Sequence, residues 1–314
     1  ELNLLRLKLH EIEFIHGDIR NKEDFEQVQV PVDCLIEAAA EPSVLAGLNG
    51  NTDYLIDTNL NGTINALNFA HRHKAKFIFL STSRVYPIKT IEQIKVEETD
   101  TRFEIAGHQS IAGVSTRGIS EAFPLGGSRS LYGATKLASE LMVEEYHEMF
   151  GMKTVINRCG VLTGPYQMGK VDQGVVVLWM ARHFWKKGLS YVGYGGLGKQ
   201  VRDMLHVTDL FEVIDRQMHR IGDYNGQTFN VGGGRGVSAS LLELTRHCQE
   251  ISGNRIQIDS VAETRQADIR IYLSDNSRIH ELTGWQPKIG VRELLIDIFD
   301  WIKANEHQLK PILS

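Results

Sequence analysis

The chain of 314 residues is long enough for one large α/β domain or a domain with a smaller lobe. Its 42% hydrophobic and 23% charged content suits a globular protein, and a net charge of −5 with both signs scattered gives no footprint for nucleic acid. The longest apolar run, Val175 to Ala181, is too short to span a bilayer, and Glu1-Leu2-Asn3 opens directly in polar sequence without a secretory signal. Cys34, Cys159 and Cys248 are few and widely spaced, which argues against a disulfide framework or a zinc site and for a reducing cytoplasm.

In chain order, residues 1–10 read as the end of an amphipathic helix, with Leu2, Leu5 and Leu9 on one stripe. Glu13 to Ile19 reads as a short strand ending in Gly-Asp, Asp24 to Val28 as a brief helix, and Asp33 to Ala39 as a buried strand. A helix is expected over Asp53 to His73, then the apolar strand Phe77 to Ser83, the helix that opens at Ser130, and the strand Lys153 to Arg158. Strands that are apolar throughout, alternating with helices, predict a doubly wound parallel sheet. Ligands then bind beyond the carboxyl ends of the strands, where Gly17-Asp18, Ala38-Ala39, Ser81-Thr82-Ser83 and Arg158-Cys159-Gly160 fall. After about residue 165 come Gly-rich turns, short strands and helices near 173–187, 208–221 and 238–252, with the last helix near 290–305, read together as a smaller lobe.

Within Ser130-Leu131-Tyr132-Gly133-Ala134-Thr135-Lys136, the spacing places Tyr132 and Lys136 on one helix face. A phenol titrates near ~10, and a nearby ammonium favours the phenolate. Such a pair can take a proton from a sugar hydroxyl. The spacing alone equally fits an ordinary solvated helix face.

Taken together, these residues resemble an extended short-chain dehydrogenase/reductase of the nucleotide-sugar epimerase/dehydratase family, over nearly the whole chain. Ser81 to Tyr86 is similar to its S-[ST]-x-x-V-Y strand end, Gly17-Asp18-Ile19 to its G-D-[IL] element, Ala38-Ala39 to a segment along the cofactor, and Asn59 opens a helix match. The resemblance implies NAD as cofactor and Thr82, Tyr132 and Lys136 as catalytic residues. Tyr132 would act as base, Thr82 would orient the sugar oxygen, and Lys136 would hold the cofactor ribose and lower the Tyr132 pKa. Cofactor contacts are implied for Asp18, Ile19, Ala38, Ala39, Asn59, Ser81, Tyr132, Lys136, Arg158 and Cys159. It also implies a Rossmann-like NAD-binding domain over 1–165, a nucleotide-sugar-binding lobe over 166–314, a homodimer or tetramer, and no partnership with nucleic acid or membrane. No resident metal is expected.

One departure is plain. The family's first strand, glycine-rich phosphate turn and following acidic residue have no match, and the chain reads as beginning after the family's second strand, with an N-terminal segment missing. Related dehydratases carry Asp-Glu directly after the catalytic Thr; Ser83 and Arg84 stand there instead, which disfavours dehydration. The stretches 169–174 and 198–206 resemble the CDP-paratose 2-epimerase group, and Glu263 to Arg270 resembles a late diphosphate-binding element. Substrate contacts are therefore expected from Ser83, Arg84, Lys170, Asp172, Gln173, Gln200, Arg202 and Arg265. The expected reaction is C2 epimerisation of a CDP-sugar through a transient keto sugar. A 4-epimerase or reductase acting on a UDP- or GDP-sugar, and a non-catalytic dinucleotide sensor, remain as alternatives.

Overall fold

The computed structural model describes residues 12–47, 50–169, 174–265 and 267–314. Its central sheet has four strands: β1 (Cys34–Glu37), β2 (Lys76–Thr82), β3 (Thr154–Cys159) and β4 (Gln227–Val231). They lie side by side in that order and all run parallel. Alternate residues of β2 enter opposite layers. Phe77 and Phe79 pack with Ala66, Leu67, Ala70 and Val143, whereas Ile78 and Leu80 pack with Val213, Ile214 and Phe229. Burial of both faces explains why the strand reads as one apolar run, and each such side chain contributes about 1.5–3 kcal/mol.

The first layer is formed by helices α1 (Gly62–His73) and α2 (Leu131–Phe150), and the second by α3 (Val207–His219) with Ser277–Thr283. Ser130 caps α2 by accepting the Gly133 N–H at 3.2 Å, and Gly151 closes it at φ 65°. The helix expected over 53–73 is present as Thr52–Ile56 and α1, joined by a π turn over Asp57–Asn61.

In the smaller lobe the strand Val201–His206 lies between Ser238–Ser240, antiparallel, and Ile271–Tyr272, parallel. Val161–Thr163 pairs with its last three residues, so the chain passes from β3 through Gly160 straight into the lobe. Helices Val175–Phe184, Leu241–Ser252 and Val291–Ala304 bury Met180, Leu244, Leu295, Ile298 and Trp301 together. Between α3 and Leu241–Ser252 the chain returns to the central sheet for β4, which therefore comes from beyond residue 166.

Two expectations need correction. Glu13 to Ile19 is not a strand: residues 12–18 are irregular and largely exposed, and Ile19-Arg20 is a turn closed by the Asn21 N–H on Asp18 O. A strand forms only where a neighbour satisfies its N–H and C=O groups. Among the described residues none pairs with this segment or with the outer edge of β1. The helix near 290–305 is not the last, because Glu306–Leu313 follows and buries Leu309 and Leu313. The expected stripe over residues 1–10 lies outside the described residues. No helix among those described is long and apolar enough to cross a membrane.

Candidate active site

The strand register places Thr82 beside Cys159, which in turn pairs with Val231, so three strands end in one row. Helix α2 opens above this row. Its third residue is Gly133, where a Cβ would stand 2.1 Å from the Arg84 carbonyl oxygen. The missing side chain lets the turn Ser83–Val85 sit directly on the first turn of α2, bringing Thr82 and Arg84 to Tyr132. Tyr132 is 8% exposed, with the Thr82 side chain close enough to its phenol to favour the phenolate. Burial pushes the phenol up, while the neighbouring Thr82 hydroxyl and then the Arg84 charge pull it back.

Lys136, one turn further, is buried at 2% exposure. Its Nζ lies 3.8 Å from Glu37 Oε2 and 3.9 Å from the centre of the Phe79 ring. Burial pushes the ammonium down, and Glu37 is the largest influence holding it up. Burial likewise pushes the Glu37 carboxyl up against the pull of Lys136. Thr63 Oγ1 donates to Glu37 Oε2 at 3.3 Å, whereas Oε1 is buried without a hydrogen-bond partner. Arg84 is thus one cation whose charge reaches the phenol, and Lys136 is paired with a carboxylate.

Beneath the site, Arg158 donates to Glu140 through Nε at 3.0 and 3.1 Å and through a terminal nitrogen at 2.7 Å. Ser81 also donates to Glu140. Arg158 donates at 3.3 Å to the Tyr86 hydroxyl, which donates at 2.8 Å to Asn230 Oδ1. Burial works against the Arg158 charge, but Glu140 overrides it and holds the guanidinium above its ordinary range. Ser81 and Arg158 are therefore committed inside the protein. Asn59 is committed as well: it accepts from the Glu41 N–H at 2.8 Å and donates to Glu41 O at 3.1 Å and Thr135 Oγ1 at 3.4 Å. Its side chain fastens the loop after β1 to the Tyr132 helix. Cys159 is buried and its thiol is pushed up to about 12 by that burial, which suits a packing residue and not a nucleophile.

On the substrate side, Arg202 donates to Asp268 Oδ1 at 2.8 Å and to Ile269 O at 2.6 Å. Arg84 donates to Ala267 O at 3.3 Å, so the two arginines meet on the same segment. Burial, then the Arg202 charge, push the Arg84 guanidinium down to about 10, with Asp268 opposing. Arg84 thus stays charged at neutral pH. Gln200 donates to Val192 O at 2.8 Å and keeps a buried Oε1 without a partner. Arg265 is exposed, and its carbonyl accepts from the Asp268 N–H at 3.2 Å. Ala38 and Ala39 lie exposed beyond β1. The Asp18 carboxylate is occupied by Arg20, whose hydrogen bonds hold it down to about 2, while the Ile19 side chain packs on Gly62. Lys170, Asp172 and Gln173 lie outside the described residues.

Sequence reasoning did not single out Glu37. A signal was present: a charged residue closes the otherwise apolar strand Cys34-Leu35-Ile36-Glu37, and a carboxylate there needs a partner.

Comparison with known proteins agrees with this fold. The model of the NAD dependent epimerase/dehydratase family matches residues 3–232. The CDP-paratose 2-epimerase of Salmonella typhi is 29% identical over 303 residues, covering 94% of this chain and 86% of that protein. The fold is shared with DesIV, a dTDP-glucose 4,6-dehydratase from Streptomyces venezuelae solved as a double mutant with NAD and DAU bound, at a TM-score of 0.78 and 23% identity over 99% of this chain and 86% of that one. It is also shared with the UDP-glucose 4-epimerase of Thermus thermophilus in complex with NAD, at a TM-score of 0.74 and 22% identity over 93% and 85% of the two chains.

Proposed function

The chain belongs to the NAD dependent epimerase/dehydratase family, and on that premise we propose that it epimerises a nucleotide-diphospho-sugar, with C2 of a CDP-sugar as the reacting centre. The observation that carries this reading is the Thr82–Tyr132 hydroxyl pair at the carboxyl edge of a parallel sheet, with Arg84 beside it. Burial keeps the phenol protonated at rest, while the neighbouring Thr82 hydroxyl and the Arg84 charge favour the phenolate when a sugar hydroxyl must lose its proton. Thr82 orients the sugar oxygen against Tyr132. Arg202 and Arg84 suit the diphosphate, because planar guanidiniums bind phosphate oxygens in pairs.

The nicotinamide end of NAD fits the residues present. The buried Glu37 Oε1 lacks a donor next to Lys136, and the exposed Ala38 and Ala39 leave room beyond β1. Bound there, NAD would accept a hydride from the sugar carbon and return it to the opposite face. Tyr132 would give its proton back to the sugar oxygen in the second half of the reaction. Dehydration would need a separate acid and base after Thr82; Ser83 and the cationic Arg84 supply neither.

The test is incubation of the full-length protein with CDP-, UDP-, GDP- and dTDP-sugars while new stereoisomers are followed by NMR. A CDP-sugar inverted at C2 without net NAD reduction is expected. Tyr132→Phe should lose orders of magnitude in kcat with binding largely retained. Near-normal turnover in that variant, or stoichiometric consumption of NADH, refutes the assignment.

A further inference from the structure

We propose that the hairpin over residues 96–105 is a strut that sets the spacing of Arg84 and Arg202 for a nucleoside diphosphate, with Arg102 as the positioning residue that fastens it. Its consequence for binding rests on the nucleotide-sugar reading, and the fastening itself rests on geometry alone.

The segment that carries the hairpin starts and ends at catalytic elements: it follows the Ser83–Val85 turn and runs to Ser130, the cap of α2. Strands Val96–Glu98 and Phe103–Ile105 pair antiparallel, and so short a hairpin does not hold itself together. Its order comes from what it touches. At its base, Ile105 shares one core with Val85, Val201 and Ile269. Val85 follows Arg84, Val201 precedes Arg202, and the Ile269 carbonyl accepts from Arg202 at 2.6 Å. The base of the hairpin is therefore packed with the neighbours of both arginines. Beside it, the Phe103 N–H donates to Lys199 O at 3.0 Å.

The tip is bound to the smaller lobe through side chains. Arg102 donates from Nη2 to Ser238 Oγ at 2.8 Å, and from Nη1 to Glu243 Oε2 at 3.3 Å and Ser238 O at 3.4 Å. Thr101 Oγ1 donates to Glu243 Oε1 at 2.7 Å, and Thr101 O accepts from Ser240 Oγ at 2.7 Å. Lys199 Nζ reaches back to Glu98 Oε1 and Thr99 O, each at 2.8 Å. The gripped strand, Ser238–Ser240, pairs with residues 201–203 so that Ala239 stands opposite Arg202. Ser240 and Glu243 already complete a capping box for helix Leu241–Ser252 by themselves. The helix end needs nothing from Thr101 and Arg102; what their bonds join is the hairpin and the strand beside Arg202. Arg84 and Arg202 both donate to the segment 267–269, and guanidiniums held in place bind phosphate oxygens without first being ordered.

Two measurements on the full-length protein test this. The first is the Kd of CDP by calorimetry, beside KM and kcat on the nucleotide sugar. In Arg102→Leu, Kd and KM should rise about tenfold as both arginines lose their fixed placement, with kcat within about threefold. Arg102→Lys keeps the charge without the fork and should recover part of the loss. Adding Glu243→Gln to Arg102→Leu should cost little more, because both cut one fastening. If Arg102→Leu does not fold, Thr101→Val removes a single hydrogen bond and should raise Kd about threefold. A residue that only stabilises the fold would lower the unfolding midpoint and leave Kd and KM of the folded protein in place. Unchanged values therefore overturn the proposal, as does a fall in kcat at constant KM. The second measurement, amide hydrogen exchange, needs no nucleotide. Arg102→Leu should speed exchange at Phe103 and along 199–203 while β2 and β3 keep their protection, and unchanged exchange there overturns the strut. If the parent binds none of CDP, UDP, GDP and dTDP, the nucleotide-sugar reading fails, and exchange alone decides whether the hairpin holds the Arg202 strand.

Discussion

Gly133→Ala is the substitution for which the structure gives the firmest magnitude. A Cβ at this position would lie 2.1 Å from Arg84 O, 3.0 Å from Arg84 C and 3.2 Å from Arg129 Cγ. The first two are backbone atoms, so no side-chain rotation relieves them, and the turn over Ser83–Val85 must retreat by roughly 1 Å to reach ordinary contact. Overpacking of this size costs about 1–3 kcal/mol. Alanine in place of glycine in a helix offsets at most about 1 kcal/mol of it. With the full offset a net loss of up to about 2 kcal/mol in urea unfolding is expected. The catalytic cost should be larger, because the retreating turn carries both Thr82 and Arg84 away from Tyr132, and a displacement near 1 Å can lower turnover about 100-fold. The assay is kcat on the nucleotide sugar beside the unfolding midpoint. An alanine variant at least as stable as the parent and within about twofold of its kcat would show that the Arg84–Gly133 contact does not set the site.

Arg84→Gln removes the cation beside Tyr132, so the phenol should ionise at higher pH and the acid limb of kcat/KM should move upward; a downward or absent shift refutes the role given to Arg84. Glu140→Gln should cost about 3–5 kcal/mol in unfolding, because Arg158 is left buried and charged without its bidentate partner. Iodoacetamide at about pH 8 should leave Cys159 unmodified in the native protein, with half-buried Cys34 labelled first by peptide mass spectrometry. Asp18 is held at about 2 against an ordinary 3.8, so any stability it adds is complete above about 4 and is lost as pH falls through 2. A carboxylate NMR titration placing its midpoint near 3.8 would disprove the Arg20 contact.

What could be read from the sequence was what local chain chemistry dictates. The apolar run Phe77 to Leu80, the Ser130 cap and the tyrosine–lysine spacing each carry their structural meaning within a few residues, and β2 and α2 form where they indicate. The strand expected over Glu13 to Ile19 had the same local pattern and did not form, because a strand depends on a hydrogen-bonding neighbour that local pattern does not supply. The same distinction runs through the site. Asn59, Ser81 and Arg158 stand where ligand contacts were expected, and their polar groups also bond Glu41, Thr135 and Glu140 from other elements. A motif shows which residues occupy the strand ends, but the partners that packing brings to them decide which remain free to act. Lys136 carries this furthest. Its spacing to Tyr132 was legible locally, whereas the Glu37 carboxylate and Phe79 ring that the sheet register sets against it come from a distant strand pair, and so does the turn carrying Arg84, admitted by the glycine at 133.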